Sequence, residues 1–131
     1  MSYKFIGGFI MRKSEFDLQP SLIVHEGTQV RINFDVEEVE NEFPSMDGEE
    51  TIKRKIWEAY VVRLDAPLTR SRIVDAIVTA GYPNDVMQAV QNNYLANPED
   101  EDAKAEMDDM QAWRVKAKQV ADEVMATVSA E

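Results

Sequence analysis

Between Leu22 and Val36 apolar side chains recur at every second position: Leu22 and Val24, then Glu26-Gly27, then Val30, Ile32, Phe34 and Val36. A period of two belongs to a half-buried strand, and the glycine between the two runs supplies a tight turn. The pattern therefore predicts an antiparallel hairpin with one buried face. Lys55 to Leu64, KIWEAYVVRL, is short, rich in β-branched and aromatic residues, and closed by Asp65-Ala66-Pro67, which predicts a third strand. The opening YKFIGGFIM has the composition of a fourth strand, although its paired glycines equally suit a bulge, a bend or a mobile arm. Turn formers in Phe43-Pro44-Ser45-Met46-Asp47-Gly48 predict a solvated loop between the second and third strands.

From residue 69 the period changes to that of a helix. Thr69 stands where an N-cap belongs, Ile73, Ala76, Ile77 and Ala80 follow helical spacing, and Gly81 with Pro83 supplies a stop, giving a first helix over 70–80. Val86, Ala89, Val90 and Tyr94 form a second stripe, ended by Asn97-Pro98, for a helix over 84–95. From Glu99 no Gly or Pro interrupts the chain, and Ala103, Met107, Met110, Ala117, Ala121, Val124 and Val128 repeat at three, four or seven. This third helix is the longest, with Asn97 as its expected cap and Pro98 at its first position. The expected fold is α+β: an antiparallel sheet of three or four strands packed against a C-terminal layer of three helices. The whole chain, 1–131, is read as a single domain, mainly β over 1–65 and mainly α over 69–128.

Charge modifies this picture. The chain has 131 residues with 25 acidic and 14 basic side chains, a net charge of −11. Asp35, Glu37, Glu38, Glu40, Glu42, Asp47, Glu49 and Glu50 meet no Lys or Arg within 35–50, so that stretch is expected to be an acidic loop. A second acidic block covers 99–109. Such a surface repels nucleic acid and anionic membrane. The sequence shows neither a long apolar span nor the order of a signal peptide, so a cytoplasmic or virion-associated protein without membrane partners is expected.

Candidate chemistry is sparse. There is no Cys and only His25, which removes thiolate chemistry and any His-rich metal site. His25 could serve as a base for Ser21 or Ser45 only if a third group oriented it, and no nucleophile motif accompanies it. Gly7-Gly8 lacks the later glycine and lysine of a phosphate loop. Glu99-Asp100-Glu101-Asp102 fails the spacing of a calcium loop, since the sixth residue from Asp100 is Ala105 and the twelfth is Gln111. Acids there suit the first turn of a helix instead. The two short helices resemble a helix-turn-helix in outline, with Arg70 and Arg72 on the first and Gln88, Gln91, Asn92 and Asn93 on the second. The second has no Lys or Arg to meet phosphates. No catalytic residue, cofactor, metal or nucleic-acid partner is therefore expected.

A size argument points to an interface. About 28 residues at roughly 1.5 Å each make a helix of about 42 Å, whereas a chain of this length has a radius of gyration of about 14 Å. The end of the third helix should project, and its stripe of Val120, Val124 and Val128, with Trp113 further back, would be covered by a protein partner or by a second copy in a homodimer. Glu37, Glu38 and Glu40 on the acidic stretch would set the charge preference of that partner.

The series WEAYVVRLDAPLT, IVDAIVTAGY, DVMQAVQNNYL and MQAWRVKAKQVAD, within residues 57–125, resembles small uncharacterised proteins associated with prophages and mobile elements of host-associated anaerobic bacteria. The resemblance brings no functional residue with it. It implies a virion-assembly or tail-region accessory role. Together the readings describe a non-catalytic protein-protein interaction factor, with an acidic DNA mimic that blocks a nucleic-acid-binding protein as the alternative.

Overall fold

The computed structural model describes residues 9–46, 48 and 50–130. Its elements run β1 (Ser14–Phe16), β2 (Ile23–Glu26), β3 (Gln29–Pro44), β4 (Thr51–Asp65), α1 (Arg70–Gly81), α2 (Asn84–Ala96) and α3 (Glu101–Ala130). This is the α+β layout that the two periodicities predict, an antiparallel sheet followed by three helices. The sequence reading takes the chain as one domain; the described residues gather into two compact units, 12–63 and 9–11 with 64–130.

The sheet unit has strand order β1-β4-β3-β2 among the described residues. The predicted hairpin is β2 and β3, in register Ile23↔Ile32, Val24↔Arg31, His25↔Val30 and Glu26↔Gln29. This leaves Gly27 and Thr28 as a two-residue turn. Gly27 has φ +67°, the left-handed region that a type II′ turn assigns to its first position and that glycine enters without steric cost. Val30, Ile32 and Phe34 are buried, as their spacing requires. Asn33 is also fully buried: its backbone N–H donates to the Leu22 carbonyl (2.9 Å) and its side-chain amide to that of Ser21 (2.6 Å). Those bonds tie the approach to β2 onto β3, while the buried Asn33 Oδ1 has no partner. Glu26 on β2 accepts from Arg31 on β3 (3.1 Å) and from Arg63 on β4 (3.0 Å), a charge row across three strands.

Two sequence expectations are corrected in this unit. Residues 35–44 are strand, so the acidic loop shrinks to the connection between β3 and β4. The third predicted strand begins at Thr51 instead of Lys55. Acidity misled the reading because a solvated edge tolerates charge on both faces; what makes the strand is pairing with β4. The fourth strand is Ser14–Phe16, which pairs Ser14↔Ala59, Glu15↔Glu58 and Phe16↔Trp57. Of the opening YKFIGGFIM, residues 3–8 lie outside the described residues, and Phe9, Ile10 and Met11 form no strand.

Along β3 the buried parity changes. Val30, Ile32 and Phe34 are buried at even numbers, whereas Val39, Asn41 and Phe43 are the more covered positions beyond and are odd. Between the two phases Asp35 has φ +51°. One residue in the left-handed region within a strand is the mark of a bulge, and one inserted residue transfers every later side chain to the opposite face.

In the helical unit, α1 and α2 both pack on α3. The buried residues are Ala103, Met110, Trp113, Ala117, Val120, Ala121 and Val124 on α3, Ile73, Ile77, Val78 and Gly81 on α1, and Val90 on α2. Thr69 caps α1, its hydroxyl accepting from the Arg72 N–H. The cap of α3 is a correction: Asp100 fills it, with Oδ2 accepting from the Ala103 N–H at 2.9 Å, while Asn97 closes α2. The expected 84–95 helix extends to Ala96, and Pro98 stands in the turn before α3.

Trp113 ties α3 to the end of α1. Its Nε1–H donates to the Ile77 carbonyl at 2.9 Å, and Phe9 packs edge-on against the indole with centroids 4.8 Å apart. Gly81 lies under this pair, where a Cβ would come within 2.5 Å of Trp113 Nε1 and 2.8 Å of Phe9 Cε1. The Ile10 N–H donates to the Gly81 carbonyl, so the segment before β1 is fastened at the same point.

Gly81→Ala should therefore lower stability by about 1–3 kcal/mol through overpacking, read as a smaller urea midpoint at unchanged m. Asp35→Val should cost about 1–2 kcal/mol more than Asp35→Gly, because a β-branched residue is poorly suited to the left-handed region. Equal stabilities for that pair would remove the bulge.

Candidate functional site

The strands β3 and β4 have 16 and 15 residues, but their neighbours β2 and β1 have only 4 and 3. At roughly 3.3 Å per residue the pair extends about 50 Å, several times the radius of gyration of about 10 Å expected for some 52 residues. Pairing with β2 ends near Asn33 and pairing with β1 begins at Trp57. Beyond those points, among the described residues, 37–44 and 51–56 form a two-stranded arm without a flanking strand. Residues 51–55 are all exposed. At the end of the arm the Ser45 N–H donates to the Glu50 carbonyl (2.8 Å), and Gly48 takes φ +74° in the turn.

Alternation gives the arm two faces. Glu38, Glu40 and Glu42 share one and are exposed. Val39, Asn41 and Phe43 share the other, with the Arg54 guanidinium 4.5 Å from the Phe43 ring centroid. Lys53, Arg54 and Lys55 on β4 lie beside the acidic strand. Glu38 pairs with Lys55 at 3.8 Å and Glu37 with Lys13 at 2.9 Å, while Arg54 reaches Asp17 at 3.3 Å. Each exposed pair is worth no more than about 1 kcal/mol, and an isolated two-stranded hairpin is marginal in water. The arm is therefore held by its root in the sheet. Met46 at the tip is fully exposed and Ile52 is 53% exposed.

The remaining predicted contact residues are placed differently. Trp113, Val120 and Val124 are buried, at 8%, 4% and 0% exposure, so the fold consumes the stripe that was expected to face a partner. The cause is visible in α3: side chains at three-, four- and seven-residue spacing are buried as far as Val124, and uniform exposure begins only at Ala126. Val128, at 37%, is the one member of the set with an accessible side chain. A homodimer through this helix thereby loses most of its expected contacts. Glu37, Glu38 and Glu40 lie together on β3, on the arm instead of a loop. His25 is exposed on β2 opposite Val30. Among the described residues no group of three or more His, Asp or Glu side chains is arranged to hold a metal ion, and no helix is long and apolar enough to cross a membrane.

No family model, curated protein or solved structure matches the chain.

Sequence reasoning missed the arm, although a signal was present. The apolar phase changes from Val30, Ile32, Phe34 and Val36 to Val39 and Phe43, which is what a strand crossing a bulge produces. It also missed Tyr82, which is 1% exposed beside Phe9, with ring centroids 5.5 Å apart. Burial, reinforced by the negative charges of Asp109 and Glu106, pushes the Tyr82 phenol up to about 12.

The neutral phenol is the favoured form, so its stabilising contribution is complete below about pH 10, the ordinary tyrosine value. It is lost as pH rises through about 12. A tyrosinate absorbance titration should show one late step that Tyr82→Phe removes, and that variant should lose less stability than the parent over the same alkaline interval.

Proposed function

We propose that this chain is a non-catalytic protein-interaction factor that engages a partner through the distal β3–β4 arm, in an assembly or accessory role of the kind the prophage-associated resemblance implies. The observation that carries this reading is the mismatch in strand length. Among the described residues no strand covers the edges of the long antiparallel pair beyond its short neighbours, and strand addition to such an edge is a recurrent mode of protein recognition. Charge supplies selectivity. Glu38, Glu40 and Glu42 favour a basic partner strand, while Lys53, Arg54 and Lys55 discourage indiscriminate edge pairing.

The arm gives less support to the DNA-mimic alternative. Phosphate imitation needs a continuous negative surface, and here Glu37 and Glu38 are countered by Lys13 and Lys55. Lys53 and Arg54 further interrupt the field from the adjacent strand.

The reading is tested by a photo-crosslinking residue at Met46, with the same residue at exposed Leu95 on α2 as control. In cells of the native host, position 46 should yield a discrete protein adduct and position 95 none. Glu38→Lys, Glu40→Lys and Glu42→Lys combined should abolish the adduct while leaving circular dichroism unchanged. Identical adducts from both positions, or an adduct indifferent to the triple change, would refute the arm as the contact. An adduct displaced by added DNA would return the mimic to favour.

A further inference from the structure

We propose that a cleft inside the helical unit binds a small organic anion with an apolar body, the chemistry of a medium-chain carboxylate. The cleft measures about 320 Å³ and is formed by α1, α2 and α3. Its apolar lining comes from Val74 and Val78 of α1 and Met87 of α2, which suits a hydrocarbon body. Arg70, Arg114 and Lys118 contribute positive charge to the same lining.

The state of those cations is the main argument. Arg70 is committed to Asp122, with Nε to Oδ1 at 2.7 Å. Arg114 lies with its Nη1 3.9 Å from the neutral Met87 sulfur, and among the described residues neither it nor Lys118 has a carboxylate within ion-pairing distance. They stand one turn apart on α3, a spacing at which like charges repel. In a chain with 25 acids and 14 bases, two adjacent cations left without a carboxylate beside an apolar cleft are complementary to an incoming anion. Asp75 is the one acid in the lining, and it opposes such a ligand.

Size selects the class. Small-molecule sites span roughly 300–1,000 Å³, so this cleft lies at the small end. It accommodates a short aliphatic chain with a charged head and is too small to enclose a peptide helix, whose diameter with side chains is about 10–12 Å.

The test is an NMR titration of the full chain with octanoate, alongside 1-octanol, which keeps the tail without the charge, and acetate, which keeps the charge without the tail. Octanoate should move the resonances of Val74, Val78, Met87 and Arg114 in a saturable manner, with both controls weaker by about tenfold or more. Arg114→Gln with Lys118→Gln should weaken octanoate at least tenfold at unchanged melting temperature, and Asp75→Asn should tighten it severalfold. Octanol binding as well as octanoate, shifts centred elsewhere, or full affinity in the double variant would each overturn the proposal. Because these residues lie outside the arm, the result is independent of the crosslinking test at Met46.

Discussion

Backbone pairing imposes the constraint on which the β3–β4 arm, and with it the proposed interaction surface, depends. Strands of 16 and 15 residues satisfy one another along their shared edge, but flanking strands of 4 and 3 residues cover only a fraction of their outer edges. Outer N–H and C=O groups that lack a protein partner must face water, and among the described residues 51–55 on the uncovered length are all exposed. A chain this acidic meets that demand readily. Glutamates at alternate positions occupy the solvent face of β3, and the basic run of β4 lies alongside to reduce repulsion. The projecting arm thus arises from a difference in strand length and is tolerated because of its composition.

The bulge at Asp35 connects the arm to its root. Before it, even-numbered side chains are buried; after it, odd-numbered side chains are the more covered, and Glu38, Glu40 and Glu42 face solvent. Without the extra residue, strict alternation from Val30, Ile32 and Phe34 would direct those three glutamates to the more covered face and Val39 and Phe43 to the exposed one. The single left-handed residue that avoids this costs about 1–2 kcal/mol. Aspartate is among the side chains that enter this region with the least difficulty.

The helical unit follows a different logic. Its elements converge where Trp113 covers Gly81, and the absence of a Cβ there permits the indole N–H to reach the Ile77 carbonyl. A buried tryptophan contributes about 3–5 kcal/mol by comparison with its alanine variant, far more than the exposed Arg70–Asp122 pair, which belongs to a class worth at most about 1 kcal/mol. The same packing explains why Val120 and Val124 are unavailable to a partner. Apolar residues at helical spacing on a long helix are buried first by their own chain wherever it can reach them.

Local pattern by itself determined the β2–β3 hairpin, the three helices, the Gly27 turn, the Thr69 cap and the ends of α1 and α2 to within a residue, because these depend on side-chain periodicity and on backbone preferences that act over a few positions. It also contained the phase change between Val36 and Val39, although acidity concealed its meaning. Tertiary structure alone decided the rest. Whether 35–44 was strand or loop depended on pairing with β4, a partner separated from it by a turn. Whether Trp113, Val120 and Val124 were surface or core depended on the other elements packed around α3. The cleft at Arg114 and Lys118 brings together residues from three helices, and no spacing along the chain encodes such a meeting. Periodicity states that a face will be buried; only the assembled chain states what buries it and which charges it brings together.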